Sequence, residues 1–351
     1  MLGATCWTAT LDKEQEGIGH VCPEAAGGDA RSIKADELLD AIQLGGLSSI
    51  ASSLVFRDLL PPPWRFGDDR GRSLEKAWEK HTGGVLAESF AALLPGEREG
   101  WCPSLALTPM IVDDGRRLVI SNLELEPLLR SDGPLLSQTP GQPAYSIGAV
   151  SLFEHLPGAH ANLKLSTAVR LQANFPWALP ATELRPLRAG ERRLRVADAG
   201  YYDETGVDLA MAWIWRNRTW LQERTGGVAL LQIRDTSSLG RRQRPTGPRG
   251  FWERAFDGAI TPVSAILRAR DSTTWFKNDE KVAALAELVN GDGPRPFFTT
   301  GIFELPVEAS LSWSLTSDEA QQIRAGMDAS PTLEELIKWW KPQGVGDAQG
   351  S

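Results

Sequence analysis

The spacing of apolar and polar residues predicts helices in the first part of the chain and a β-hairpin after them. Apolar residues recur at helical intervals over 36–59, 73–80 and 84–94, which predicts three helices. Two apolar runs then flank Asp113-Asp114-Gly115, and Asp-Gly between such runs is a strong turn signal. We therefore predict a β-hairpin over 104–121.

In the rest of the chain, predicted helices alternate with predicted strands. Ser166 can cap a short helix that runs through Asn174, because Pro176 ends it. The remaining predicted elements are a strand over 194–197, a helix over 207–222, a buried strand over 228–233, an arginine-rich loop over 237–250, a helix over 282–290, and two closing helices that begin at the capping boxes Thr316-x-x-Glu319 and Thr332-x-x-Glu335. This alternation favours an α/β fold.

The length and composition favour one large domain. Hydrophobic residues make up 42% of the 351 residues, enough for a sizeable core, and no Pro-, Gly- or Ser-rich linker divides the middle of the chain. We predict a single domain over residues 1–342 and a disordered, Gly-rich tail over 343–351. The net charge of -8 argues against a nucleic-acid partner, since general nucleic-acid binders need a basic face.

Cysteine and histidine positions predict neither a disulfide framework nor a metal site, and no cofactor motif is present. Cys6, Cys22 and Cys102 form no Cys-x-x-Cys pair, and the four histidines lack ligand spacing. The sequence shows no signal peptide and no apolar run long enough for a transmembrane helix. We expect a protein that is cytoplasmic or peripheral to a membrane.

The most informative segment is Asp198-Ala199-Gly200, which directly follows the predicted strand 194–197. In open α/β sheets, ligands and chemistry gather at the carboxyl ends of strands. The segment resembles the Asp-Gly-Gly or Asp-Gly-Ala motif of patatin-like phospholipases. Taken without its surroundings, such a tripeptide is more often a strand-end turn or a helix cap.

Other segments extend this resemblance to patatin-like phospholipases over most of the chain. They occur in the order that the family has, and the match is closest to its long bacterial subgroup. The segments are 56–60, 69–79, the predicted hairpin, 165–176 and 230–234.

The resemblance implies a lipid acyl hydrolase with a Ser–Asp dyad, a phospholipase or esterase. Asp198 matches the dyad aspartate, the base that accepts the serine proton, and Gly200 matches the motif glycine. The implied fold is a three-layer αβα sandwich with a mostly parallel central sheet. The implied partner is a lipid or another acyl ester, with peripheral membrane contact; the oligomeric state stays open.

This sequence departs from the family pattern at the residues that carry the chemistry. Ala199 and Glu204 stand where glycine and asparagine are usual, and alanine would be strained if its position needed a positive φ. No Gly-x-Ser-x-Gly occurs, and Ser48 and Ser73 lie in helix-like stretches without the second glycine. Residues 1–7 resemble the helix after the nucleophile turn. We therefore expect a fold that lacks its first strand or strands and the nucleophile elbow, truncated before or at that turn and inactive by itself.

Two alternatives to a lipid acyl hydrolase stay open. One is a non-catalytic protein that keeps the patatin-like fold to bind lipid or protein, which Ala199 and Glu204 favour slightly. The other is an unrelated α/β hydrolase that pairs Asp198 with a histidine; no histidine follows Asp198 in the chain, which counts against it.

Overall fold

The computed structural model describes residues 50, 52–53, 69–100, 102–130, 147–174, 179, 181–184, 193–203, 205–234, 273–291, 295–304 and 316–340. The described residues up to Gly206 form one compact unit. Those of 207–304 and 317–340 form a second, and each unit is described by itself.

The first unit begins with helix α1, Arg70–His81, which confirms the helix predicted over 73–80. Asp69 caps it by accepting the N–H of Arg72 at 2.9 Å. The helix predicted over 84–94 is wrong in form: two short 3-10 helices, Val85–Ala87 and Phe90–Leu93, precede helix α2, Leu94–Glu99. The reason is the extended backbone at Ser89, which forms an isolated β-bridge with Lys164.

The predicted hairpin is confirmed, with a bend in its first arm. Strands β1, Ala106–Leu107, and β2, Met110–Ile111, both pair antiparallel with β3, Arg117–Ser121. Gly115 adopts a φ of 73° in the turn, a conformation that favours glycine. Thr108 interrupts the first arm, because its N–H donates to Gln172 Oε1 at 2.5 Å instead of to a strand.

The sheet of the first unit is mixed and mainly antiparallel, so the expected patatin-like αβα sandwich with a mostly parallel central sheet is wrong. Its other strands are β4, Leu129–Arg130; β5, Ile147–Ser151; β6, Thr182–Leu184; and β7, Leu194–Ala197. Among the described strands of this sheet, four pairings are antiparallel (β1/β3, β2/β3, β2/β7 and β6/β7) and two are parallel (β3/β5 and β4/β5). The hairpin causes the difference, because β2 runs opposite to both of its neighbours, β3 and β7.

Short helices that follow β5 contact strands of this sheet. After β5 come α3, Leu152–His155; α4, Ala159–Asn162; and α5, Leu165–Gln172. The prediction that Ser166 caps this helix is wrong. Ser166 lies within α5 and donates to Glu79 Oε1 at 2.7 Å, and the cap position is Lys164. Members of the core cluster include Leu74, Trp78, Phe90, Ile111, Leu118, Ile120, Leu152, Leu171 and Val196.

The second unit pairs two parallel strands with helices. Its described elements are α6, Val207–Arg216; α7, Arg218–Arg224; β8, Val228–Arg234; α8, 273–289; β9, Phe298–Glu304; α9, Ser317–Asp328; and α10, Pro331–Trp340. The helix predicted over 207–222 is broken at Asn217, and α8 includes all but the last residue of the helix predicted over 282–290. Thr332 lies inside α10 and donates to the carbonyl of Ile302, so it is not the predicted cap.

Strand β8 confirms the predicted strand but not its predicted burial. Gln232 and Arg234 are buried, whereas the side chains between them and before them, Ile233 and Leu231, are 81% and 56% exposed. Parallel strands are usually covered on both faces, and the alternation here puts the apolar residues outward.

Several predictions fall on residues outside the described ranges. Of the helix predicted over 36–59, only residues 50, 52 and 53 are described, and they are helical. The arginine-rich loop over 237–250, the tail over 343–351 and Glu204 lie outside the described residues. In the described part of the chain, no helix has both the length and the apolar character that a membrane span requires.

Candidate functional site

Asp198 lies where the sequence predicted it, at the carboxyl end of a strand. Strand β7 is an interior strand, paired with β2 through Met110↔Ala197 and with β6 on its other side. The half-buried Asp198 side chain caps the next turn, since its Oδ1 accepts the N–H of Gly200 at 2.6 Å. The predicted catalytic aspartate and motif glycine therefore contact each other, and the contact fixes the orientation of the carboxylate.

Ala199 fits this turn. It begins the 3-10 helix Ala199–Tyr201 and is 1% exposed. Backbone angles in 3-10 helices have negative φ, which alanine adopts readily, so a positive φ at this position is not needed here.

A buried ion pair lies beside the Asp198 turn, and the sequence did not predict it. Arg117 of β3 and Asp203 are each 2% exposed, with Nη2 and Oδ2 3.6 Å apart. The Tyr202 ring lies against the guanidinium, 4.1 Å from its centre to Cζ. Asp203 Oδ1 also accepts the N–H and hydroxyl of Thr205 and the N–H of Gly206. The sequence signal was weak: Arg117 is the first residue of β3 and directly precedes the apolar run Leu118-Val119-Ile120.

The structure brings together three segments that carry the resemblance but are far apart in sequence. The hairpin contacts the Asp198 strand through the β2/β7 pairing. Helix α5 contacts the hairpin through Gln172, which accepts from Thr108, and Asn174 Nδ2 donates to the carbonyl of Val196 at 3.2 Å. The hairpin and α5 therefore both contact β7, the strand that ends directly before Asp198.

A second polar cluster joins Glu97, Asn122 and His160. Asn122 Nδ2 donates to the carbonyl of Phe90 at 3.3 Å and to Glu97 Oε1 at 3.2 Å. Because both partners are acceptors, the amide orientation is fixed and Oδ1 faces His160 Nε2 at 2.8 Å. His160 Nε2 therefore carries a hydrogen and donates to Asn122. The ring also packs edge-on against Phe153.

The carboxyl of Glu97 is half-buried in this cluster. Its burial raises the pKa of Glu97 above the ordinary value of 4.5, while hydrogen bonds from Asn122 and the backbone of Leu105 act in the opposite direction. The desolvation penalty is the larger effect.

Of the two Gly-x-Ser serines and the three cysteines, the structure describes only Ser73 and Cys102, and each forms a hydrogen bond to a partner other than a histidine or carboxylate. Ser73 lies in α1, where its hydroxyl is 2.5 Å from that of Ser53. Cys102 is buried, and Ser48, Cys6 and Cys22 lie outside the described residues. Within the described residues, no three His, Cys, Asp or Glu side chains form a group that could hold a metal ion.

No family model matches the chain, and no curated protein matches it.

Proposed function

We propose that this chain carries the aspartate half of a Ser–Asp acyl-hydrolase site and has no ester-hydrolase activity by itself. The proposal combines the sequence resemblance with one structural observation. The hairpin and helix α5, which carry the resemblance, both contact strand β7, and β7 ends directly before Asp198. The substrate class is a phospholipid or another acyl ester.

In this site the Asp198 carboxylate would accept the proton of a serine hydroxyl and so activate a weak nucleophile. The Gly200 N–H holds one carboxylate oxygen, which orients the base. The 351 residues contain no Gly-x-Ser-x-Gly turn to supply the serine. Backbone donors for the oxyanion contribute roughly 3–4 kcal/mol each, so we expect no turnover from a chain in which no nucleophile turn presents a serine beside such donors.

Hydrolysis of p-nitrophenyl acyl esters tests this proposal in two forms of the protein. The 351-residue chain should show only background turnover. If it instead hydrolyses the esters and Ser48→Ala removes that activity, Ser48 is the nucleophile and the proposal is wrong. A fusion that places a Gly-x-Ser-Gly-Gly segment before Met1 should gain turnover. Asp198→Asn should abolish that gain, because an amide cannot act as the base.

The matched control is the thermal unfolding of the same Asp198→Asn variant. Asparagine keeps an acceptor oxygen for the Gly200 N–H, so the melting temperature should stay within about 2 °C of the parent. A fused protein whose turnover survives Asp198→Asn would contradict the assignment of Asp198.

A non-catalytic lipid- or protein-binding role is the second candidate, and exposed apolar residues in the second unit favour it. Apolar side chains that are exposed to water can serve as contacts for a lipid or protein partner. The exposed large apolar residues described there are Trp220, Leu231, Ile233, Phe276, Leu288, Met327, Ile337 and Trp340.

Co-sedimentation with phosphatidylcholine–phosphatidylglycerol vesicles tests this second role. The double variant Phe276→Ser, Trp340→Ser should reduce binding to the vesicles, whereas Val112→Ser, an exposed apolar position in the first unit, should not. Equal binding by all three proteins would exclude these residues as the lipid contact.

A further inference from the structure

Arg117 is a charged residue inside the most buried strand of the first unit. All five residues of β3 are buried, and Arg117 is 2% exposed. Taking a guanidinium and a carboxylate out of water costs several kcal/mol per ion, so a buried pair is weak evidence for stability by itself. We therefore look for a role of the Arg117–Asp203 pair other than stability. Its position beside the Asp198 turn suggests that it holds this turn in place.

The ion pair fixes the chain directly after Asp198. Arg117 lies in register with Met110, which lies in register with Ala197, so the arginine is two strands away from the residue before Asp198. At about 4.8 Å between neighbouring strands, this separation is roughly 10 Å. The segment 198–203 spans it and ends at Asp203, bound to Arg117.

Both ends of this segment are therefore held. At its start, the Asp198 carboxylate accepts the Gly200 N–H, and the 3-10 turn continues with Tyr202 N–H donating to the Ala199 carbonyl at 2.8 Å. At its end, Tyr202 packs on the guanidinium of Arg117 and Asp203 pairs with it. The turn that orients the Asp198 carboxylate cannot rotate without breaking one of these contacts.

We propose that Arg117 is a positioning residue, which holds the Asp198 carboxylate in a fixed orientation through Tyr202 and Asp203. Its catalytic meaning rests on the proposed function, because it is Asp198 that would act as the base. Arg117 touches no reacting group in this arrangement. Its effect on Asp198 is transmitted through the backbone of residues 198–203.

Hydrogen–deuterium exchange of the 351-residue chain tests the proposal without any catalysis. Tyr202→Leu removes the ring that packs on Arg117 and changes only a partly exposed side chain. Peptides covering 198–206 should then exchange about tenfold faster or more, whereas peptides covering β3 and β5 should change little. Tyr202→Phe keeps the ring and should restore the parental exchange.

Two further variants make the test independent of any one side chain. Asp203→Asn removes the charge partner of Arg117 and should accelerate exchange in the same peptides. Arg195→Gln is the matched control, because Arg195 lies on β7 and pairs with Asp113 at 2.8 Å at the exposed surface. That variant should leave the 198–206 peptides unchanged.

Unchanged exchange over 198–206 in both Tyr202→Leu and Asp203→Asn would overturn the positioning role. Acceleration spread equally over β3 and β5 would overturn it as well, since it would show a general loss of stability. In the fusion that carries a nucleophile turn, Tyr202→Leu should lower kcat severalfold with KM unchanged. Absence of turnover in the parent fusion would reject the proposed function, and the exchange result would still decide whether Arg117 positions the turn.

Discussion

At the scale of single residues, two carboxylates of the first unit show how surroundings determine the cost of burial. Asp203 is fully buried, but it faces Arg117 and accepts three hydrogen bonds from Thr205 and Gly206. Glu97 is only half-buried, and its main neighbour is the neutral amide of Asn122. Desolvation without a charge partner raises the pKa of Glu97.

Glu97→Gln should therefore stabilise the protein at neutral pH. The folded wild-type protein binds the Glu97 proton more tightly than the unfolded chain, so protonation of Glu97 stabilises the wild-type fold fully below the unfolded pKa. The wild-type protein loses that contribution as pH rises through the raised folded pKa. Glutamine mimics the protonated side chain at every pH. Urea unfolding should show a gain at pH 7, at most about 1 kcal/mol because solvent screens the half-exposed group, and none near pH 3. An equal difference at both pH values would contradict this.

At the scale of elements, the contact between α10 and β9 depends on the absence of a side chain at Gly301. A Cβ built there would lie 2.6 Å from Leu336 Cδ1 and 3.1 Å from Thr332 Cγ2, both on α10. Trp339 continues the same contact, with Nε1 donating to the carbonyl of Pro296 at 2.9 Å. Helix α10 can approach the strand this closely only because residue 301 is glycine.

Gly301→Ala should displace α10 from β9 and destabilise the second unit by about 1–3 kcal/mol, the usual range for overpacking. The tryptophan emission should shift to longer wavelength as Trp339 becomes more exposed. Gly226→Ala is the control, because no atom lies within 4 Å of a Cβ at that position. Equal unfolding free energies for both variants would show that α10 adapts without cost.

At the scale of the whole molecule, the exposed apolar side of β8 predicts self-association. Leu231 and Ile233 are exposed, and β9 is the only partner of β8 among the described strands. Edge strands of natural proteins usually carry exposed charges or prolines that prevent pairing with other chains. Strand β8 has no proline, and its one charged residue, Arg234, is buried.

Ile233→Lys should reduce this association, because a charge at the most exposed apolar position opposes strand pairing. Size-exclusion chromatography at several concentrations should show a larger apparent mass for the parent and a shift towards the monomer for the variant. Thr219→Lys adds the same charge at an exposed position of α7 and should leave the elution unchanged. A parent that elutes as a monomer at every concentration would refute the expectation.

The sequence alone determined those elements whose signals lie within a few residues of one another. Asp-Gly between two apolar runs identified the β2–β3 turn, and the run before Asp198 identified β7 and the position of the carboxylate at its end. Helix α1 was found because its apolar residues recur at helical spacing. Turn chemistry and helical periodicity are local properties, so folding did not change these predictions.

Only the tertiary structure decided how these elements pair and which of their side chains are buried. An alternation of helices and strands is compatible with either strand direction, and the mainly antiparallel sheet follows from the long-range pairing of β2 with β7. The Arg117–Asp203 pair and the breaking of the 84–94 helix by the Ser89–Lys164 bridge likewise join residues distant in sequence. The free energy of such contacts depends on the burial and hydrogen bonding of both partners together, which no local pattern contains.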